Sequence, residues 1–248
     1  MTAYNHPAFL PYLDLLSRLQ GSTGMDTLNE LADRMDLRHA HTGEPLRFAA
    51  SSAPSAAEYE QSIAATGIVP TRENNLHDFL NALVWMRFPR LKSALNQRHC
   101  QALAQQPEER KQRGQLRDQL TLLDESGMLV VSARADLLER LRGKCWVELF
   151  WHARTDVMQH MRFIVVGHGL LEKCLAPFPG MTAKCLLLTT AESSLEGVDE
   201  LAAASVGDAR GLELPPLPVQ GVPGWDDNES LAYYQNTSIF RPAATPVS

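Results

Sequence analysis

The chain has 248 residues, of which 44% are hydrophobic and 21% charged, with a formal net charge of −6. That balance excludes a disordered or fibrous chain and suits one large domain or a domain with an appendage. No stretch approaches the roughly 18 apolar residues of a membrane span, and residues 1–13 carry neither a cationic start nor an apolar run, so a cytoplasmic protein without membrane contact is expected.

In chain order, Phe9, Tyr12, Leu13, Leu15, Leu16 and Leu19 recur at helical spacing up to Gly21. A second helix is predicted over residues 26–35, with Leu28 and Leu31 on one side. Arg47 and Phe48 suit a short strand, residues 49–57 a small-residue loop, and residues 59–66 a helix stopped by Gly67. No internal repeat is visible.

Residues 74–105 carry the strongest signal. Asn75 fits an N-cap, with Asp78 three positions on at the positive end of the helix dipole. Leu76, Phe79, Leu80, Leu83, Val84 and Met86 form a wide apolar face that Trp85 and Phe88 extend around the back, which marks a buried helix. Pro89 ends it, and a second helix from Arg90 through Leu91, Leu95 and Leu103 makes an αα-hairpin.

From Thr121 the pattern changes. Leu122, Leu123 and the run Met128, Leu129, Val130, Val131 flank Asp-Glu-Ser-Gly, which predicts a β-hairpin. Residues 135–141 read as helix, and the aromatic run 146–152 fits helix or strand equally. Residues 162–166 read as a strand, followed by a tight Gly167-His168-Gly169 turn and a helix over 170–176 that Pro177 and Pro179 stop. Residues 184–189 read as a buried strand. The tail is rich in Pro and Gly yet carries Trp225, Tyr233, Tyr234 and Phe240, so an irregular wrap over the body is expected. The predicted architecture is α+β in a single domain: a buried αα-hairpin, a small β-sheet and a Pro-rich C-terminal wrap. Its parts are an N-terminal helical segment at 1–45, an α+β core at 46–213 and a C-terminal extension at 214–248.

Polar side chains stand on elements otherwise suited to burial. His77 and Asn81 are four apart on the first buried helix, and Asn96 and His99 three apart on the next, so a hairpin would bring the four together. They suit either a site or a hydrogen-bonded packing network. His168 projects from a strand-to-helix turn where the helix N-terminus disfavours its charged form, with Glu172 one helical turn on and Lys173 beside it. His-x-x-x-Glu fits two metal ligands, a general-base pair or a plain i, i+4 hydrogen bond. Asp124 and Glu125, in the expected hairpin turn, are solvated turn formers unless that turn faces the histidines.

The expected site therefore places His77, Asp78, His99 and His168 around a divalent metal. Asp124, Glu125, Glu172, Lys173, Asn81 and Asn96 are the expected catalytic side chains, in a hydrolase acting on a small molecule. His6, His39, His41, His152 and His160 look peripheral. The sequence contains no G-x-S-x-G, H-E-x-x-H, P-loop or strand-borne G-x-G-x-x-G, so the common hydrolase, zincin, nucleoside-triphosphatase and dinucleotide readings lose their motifs. Cys100, Cys145, Cys174 and Cys185 form no C-x-x-C pair and are expected as reduced, partly buried thiols.

Charge is polarised along the chain. Residues 87–117 hold eight Arg or Lys against Glu108 and Glu109, whereas residues 190–230 hold nine Asp or Glu against Arg210. Arg87, Arg90, Lys92 and Arg98 suit a non-catalytic protein that binds phosphate or nucleic acid. The simpler reading is that the two segments face each other or are solvated. Aromatic residues are not interleaved with the basic ones, which argues against nucleic acid as a partner. A third reading is a structural or interaction protein with a buried polar network.

The runs NNLHDFLNALVWMRFPRLKSALNQRH (74–99), RDQLTLLDESGMLVV (117–131) and GHGLLEKCLAPFPGMTAKCL (167–186), with the late PLPVQGVPGW and terminal FRP, resemble a bacterial family known as domain of unknown function 3025. The resemblance spans the chain after Leu46. It implies a proteobacterial source and brings no activity with it. Leu76 stands where the resemblance implies an aromatic residue, and Gly169 where it implies alanine; neither removes a polar side chain from the cluster.

Overall fold

The computed structural model of the chain describes residues 4–50, 55–105, 114–208 and 211–243. Residues 51–54 of the expected loop, 106–113 of the basic run, Arg210 and residues 244–248 of the tail lie outside the described residues.

The chain begins with a 3-10 segment, Pro7–Tyr12, whose first turn the His6 ring caps by accepting the Ala8 N–H. It continues into α1 (Leu13–Leu19) and α2 (Met25–Arg34). The buried Tyr12 hydroxyl donates to the Val165 carbonyl at 2.7 Å, so this N-terminal stretch is pinned to the main sheet and shares its core. β1 (Arg47–Ala49), α3 (Ala56–Thr66) and β2 (Ile68–Pro70) follow, the two strands pairing in parallel as a small sheet. Gly67 ends α3 at φ 70°, and a Cβ there would fall 2.4 Å from the Pro45 carbonyl oxygen, so the turn requires glycine.

α4 (Leu76–Arg87) and α5 (Pro89–Ala104) are joined by Phe88 alone. Asn75 Oδ1 accepts the Asp78 N–H as the expected cap, and every residue from Phe79 to Met86 is buried, as the all-round apolar pattern requires. Pro89 occupies the first position of α5, where a missing N–H costs no hydrogen bond. The two helices meet at this corner; beyond it α4 packs on α9 (His168–Lys173), and α5 packs on α3 and on α10 (Leu195–Asp208).

α6 (Gln115–Ser126) runs straight into β3 (Gly127–Ser132), which corrects the β-hairpin expected here. Asp124 and Glu125 lie in the last turn of a helix. Leu116, Leu120 and Leu123 recur at helical spacing and seat α6 on the core, outweighing the turn-forming Asp-Glu-Ser-Gly. Gly127 makes the change from helix to strand in one residue: a Cβ there would lie 2.1 Å from the Leu123 carbonyl oxygen.

The rest of the chain supplies α7 (Ala135–Arg142), a π-helical turn at Glu148–His152, α8 (Arg154–His160), β4 (Arg162–Val165), β5 (Thr182–Thr189), β6 (Pro216–Pro218) and α11 (Leu231–Tyr234). The main sheet has the order β4-β3-β5-β6. β3 pairs antiparallel with β4, Leu129 opposite Ile164, and parallel with β5, Leu129 opposite Leu186; all six β3 residues are buried. β6 is an edge strand, which is where its two prolines are tolerated.

The C-terminal extension is thus less irregular than expected, since it adds a strand. It is then tied down: Trp146 Nε1 donates to the Arg241 carbonyl, and the Arg154 guanidinium donates to Asn228 and Tyr234. Cys100, Cys145, Cys174 and Cys185 are free; Cys145 is exposed, and burial pushes the Cys174 thiol up to about 12. Among the described residues no helix is long and apolar enough to cross a membrane. The whole is one α+β domain around a continuous core.

Candidate active site

Two glycines bring the chemistry together. The Gly127 carbonyl, at the α6–β3 junction, accepts the N–H groups of Val166 and Gly167 at 3.0 and 2.9 Å, at the β4–α9 junction. A Cβ on Gly167 would lie 2.3 Å from the Gly127 nitrogen, so the two junctions can touch only without side chains. This contact places Asp124 and Glu125, at the end of α6, against His168, the first residue of α9. The first turn of α4, packed on α9, adds His77.

These side chains line a cleft of about 350 Å³, together with Tyr59, Glu60, Arg72, Asp78, Asn81, His99 and Arg117. The imidazoles of His77 and His168 stand 4.5 Å apart, edge to face. Their Nε2 atoms face the two oxygens of one carboxylate: His77 Nε2 is 3.8 Å from Glu125 Oε2, and His168 Nε2 is 3.4 Å from Glu125 Oε1. Each opposite ring nitrogen faces a second acid. His77 Nδ1 is 2.9 Å from Glu172 Oε2, and His168 Nδ1 is 3.8 Å from Asp124 Oδ2. His168 Nδ1 is buried and finds no hydrogen-bond partner among the described residues.

Behind this cluster lies Lys92, only 4% exposed. Its ammonium donates to Asn81 Oδ1 at 2.9 Å and to Asp124 Oδ1, and lies 5.2 Å from the centre of the Trp85 ring. Burial works to raise the Asp124 carboxyl, but Lys92 and then His168 outweigh it and hold Asp124 below the usual carboxylate range. Hydrogen bonding to His168 likewise lowers Glu125, against its partial burial. Asp124 and Glu125 are therefore anionic at neutral pH, which suits cation binding.

The expected residues divide accordingly. His77, Asn81, Asp124, Glu125, Glu172 and His168 come together. His99 lines the cleft, but among the described residues the group able to share one ion is His77, Glu125 and His168, with one ligand atom from each all within 4.8 Å of one another. Asp78 is held by Arg72 in a two-pronged ion pair at 2.9 Å and also accepts the Arg72 N–H. Lys173 is exposed and outside the cleft. Asn96 is buried away from the imidazole pair. It takes a hydrogen bond from His39 and donates to the Glu60 carbonyl and carboxylate at 2.8 and 2.7 Å.

Four residues of this region carried no such expectation in the sequence. His39, read as peripheral, is 1% exposed: it accepts the Thr42 N–H at Nδ1, so Nε2 carries the proton and donates to Asn96 Oδ1. Glu60 is raised to about 7, chiefly by burial and against the Asn96 hydrogen bond. Tyr59 accepts from Asn81 Nδ2 at 2.9 Å. Lys92 was read as part of a basic surface, yet its place between the core residues Leu91 and Leu95 was a usable sign of burial. The polarised segments do meet: Asp199 on α10 accepts the N–H groups of Arg90 and Leu91, and Arg90 also reaches Glu196 at 3.4 Å.

Fold and cleft together define an α+β protein with a histidine–carboxylate centre at the junctions of its main sheet. Residues 46–244 match the family described as Protein of unknown function (DUF3025), and the chain belongs to that family. No curated protein and no solved structure matches the chain.

Proposed function

We propose that this protein is a metal-dependent hydrolase in which His77, Glu125 and His168 hold one divalent cation in the cleft. The observation that carries the reading is the paired orientation of the rings: both Nε2 atoms face Glu125, and both Nδ1 atoms face a further carboxylate, Glu172 or Asp124. Imidazoles that bind metal are typically oriented in this way by an acid on the far nitrogen. One ligand atom from each of the three residues lies within 4.8 Å of the others, and ligand atoms bound at roughly 2.0–2.2 Å in a tetrahedron stand about 3.4 Å apart, so a closing movement of about 1 Å completes the set.

His77, Glu125 and His168 would hold the ion, which would supply Lewis acidity and an acidified water. The chain's own residues do the rest. Glu172 holds the His77 ring by its Nδ1, the Asp124 carboxylate faces Nδ1 of His168, and Lys92 balances the buried charge of Asp124. In the overall reaction the water oxygen bonds to an acyl carbon or phosphorus, the bond to the leaving group breaks, and a water proton departs with that group. The reading also takes the substrate to be a small molecule, which the cleft size supports. It takes the protein to be cytoplasmic and bacterial, supported by the free thiols and by the family resemblance.

The test is elemental analysis of protein purified without a nickel column. About one equivalent of a divalent transition metal is expected, and a His77→Ala, His168→Ala double variant is expected to carry none. Absence of metal, with no rise in thermal stability on adding zinc or manganese, would sink the proposal.

A further inference from the structure

Tyr59 lines the cleft, and its hydroxyl proton is not used by the ligand set. The orientation of that donor follows from a chain of three side chains. An ammonium only donates, so the Asn81 atom 2.9 Å from Lys92 Nζ must be the carbonyl oxygen. This settles which way the amide lies and directs its NH2 to the Tyr59 hydroxyl, at 2.9 Å. The Tyr59 oxygen is therefore an acceptor on that side, and its own proton must lie elsewhere. Among the described residues the hydroxyl donates no hydrogen bond, while Tyr59 shares the lining of the cleft with Asp124, Glu125 and His168.

We propose that the Tyr59 hydroxyl donates to an oxyanion bound in the cleft, so that the ligands of this site carry a phosphoryl or carboxyl oxygen. Burial, then the nearby Glu60 and Asp124 carboxylates, raise the Tyr59 hydroxyl above its ordinary range. It therefore stays protonated at neutral pH and acts as a donor, not as a base. Lys92 and Asn81 do not touch the ligand in this scheme; they hold the tyrosine proton away from the protein. The inference deepens the hydrolase reading and rests on it for the reaction, but the binding of the anion is separable from the metal.

The experiment is a calorimetric titration of the full chain with inorganic phosphate and, in a second arm, acetate, each with and without zinc. Tyr59→Phe keeps the ring and its packing, with circular dichroism and zinc affinity as controls. Wild type is expected to bind at least one of the two anions, and Tyr59→Phe to bind it about tenfold more weakly with zinc affinity unchanged. The arm that responds identifies the phosphoryl or the carboxyl source. Equal binding by wild type and Tyr59→Phe, or no binding of either anion, overturns the inference; zinc binding alone would then leave the metal reading standing. Tyr59-dependent anion binding without zinc binding upholds the inference and removes the metal. Should Tyr59→Phe not fold, the near-ultraviolet difference spectrum of wild type decides: a tyrosine band on anion binding is expected, and its absence refutes the contact.

Discussion

Glu172 holds the Nδ1 edge of His77 at 2.9 Å although 95 residues separate the two in the chain. Glu172 is 43% exposed, so its role lies in orienting the ring more than in holding the fold. Glu172→Ala is therefore expected to weaken divalent-metal affinity by roughly 10–100-fold while leaving the melting temperature of the metal-free protein nearly unchanged. Competition against a chromogenic chelator measures the first and calorimetry the second. Unaltered affinity would remove Glu172 from the centre.

The buried pair of Lys92 and Asp124 makes a second claim, on stability. Lys92→Met strands the Asp124 charge, and a loss of about 3 kcal/mol is expected in urea denaturation. Combining it with Asp124→Asn removes that stranded charge, so the double variant is expected to recover more than half of the loss. A double variant as unstable as the sum of the two single variants would show that the pair is not coupled.

Glu60 gives the protein a pH dependence of known sign. Its folded pKa of about 7 lies above the ordinary 4.5, so the fold favours the protonated form. The stabilisation from this group is fully present below the unfolded value and is lost as pH rises through the folded one. Between about pH 5 and about pH 8, wild type is expected to lose roughly 2 kcal/mol relative to Glu60→Gln, which has no proton to release. Denaturation curves at a series of pH values check this, and parallel pH profiles for the two proteins would refute it.

Asp199 caps α5 from α10, accepting two backbone N–H groups at 3.0 and 2.8 Å. Asp199→Ala leaves both donors without that acceptor at a site only 2% exposed, and a loss of about 2 kcal/mol is expected. The same substitution at the exposed Glu196 is expected to change stability by less than about 0.5 kcal/mol. Similar losses at the two positions would discount the cap.

What could be read from the residues was local. The Asn75 cap, the buried run of α4 and the left-handed Gly67 all follow from chemistry within a few positions, and each is present. The residue types of the cleft were also visible, because His77, His168, Asp124, Glu125 and Glu172 are ligand-type side chains on apolar elements. Their convergence was not, because it depends on the backbone contact between Gly127 and Gly167. A turn-rich tetrapeptide at 124–127 concealed the last turn of α6 for the same reason: the leucines that decide in favour of helix act through packing. α8 and α10 carried no strong periodic signal, and Tyr59, Glu60 and His39 acquire their roles only from neighbours distant in sequence.

The loopless passage from α6 into β3 leaves no slack between the acids and the strand. Adding one residue before Gly127 would turn the Asp124–Glu125 end of the helix through about 100° relative to the sheet, or else slip β3 by one place and invert its faces. Insertions and deletions are thus barred from this seam, and the length of the chain across it is as much a part of the centre as the side chains that line it.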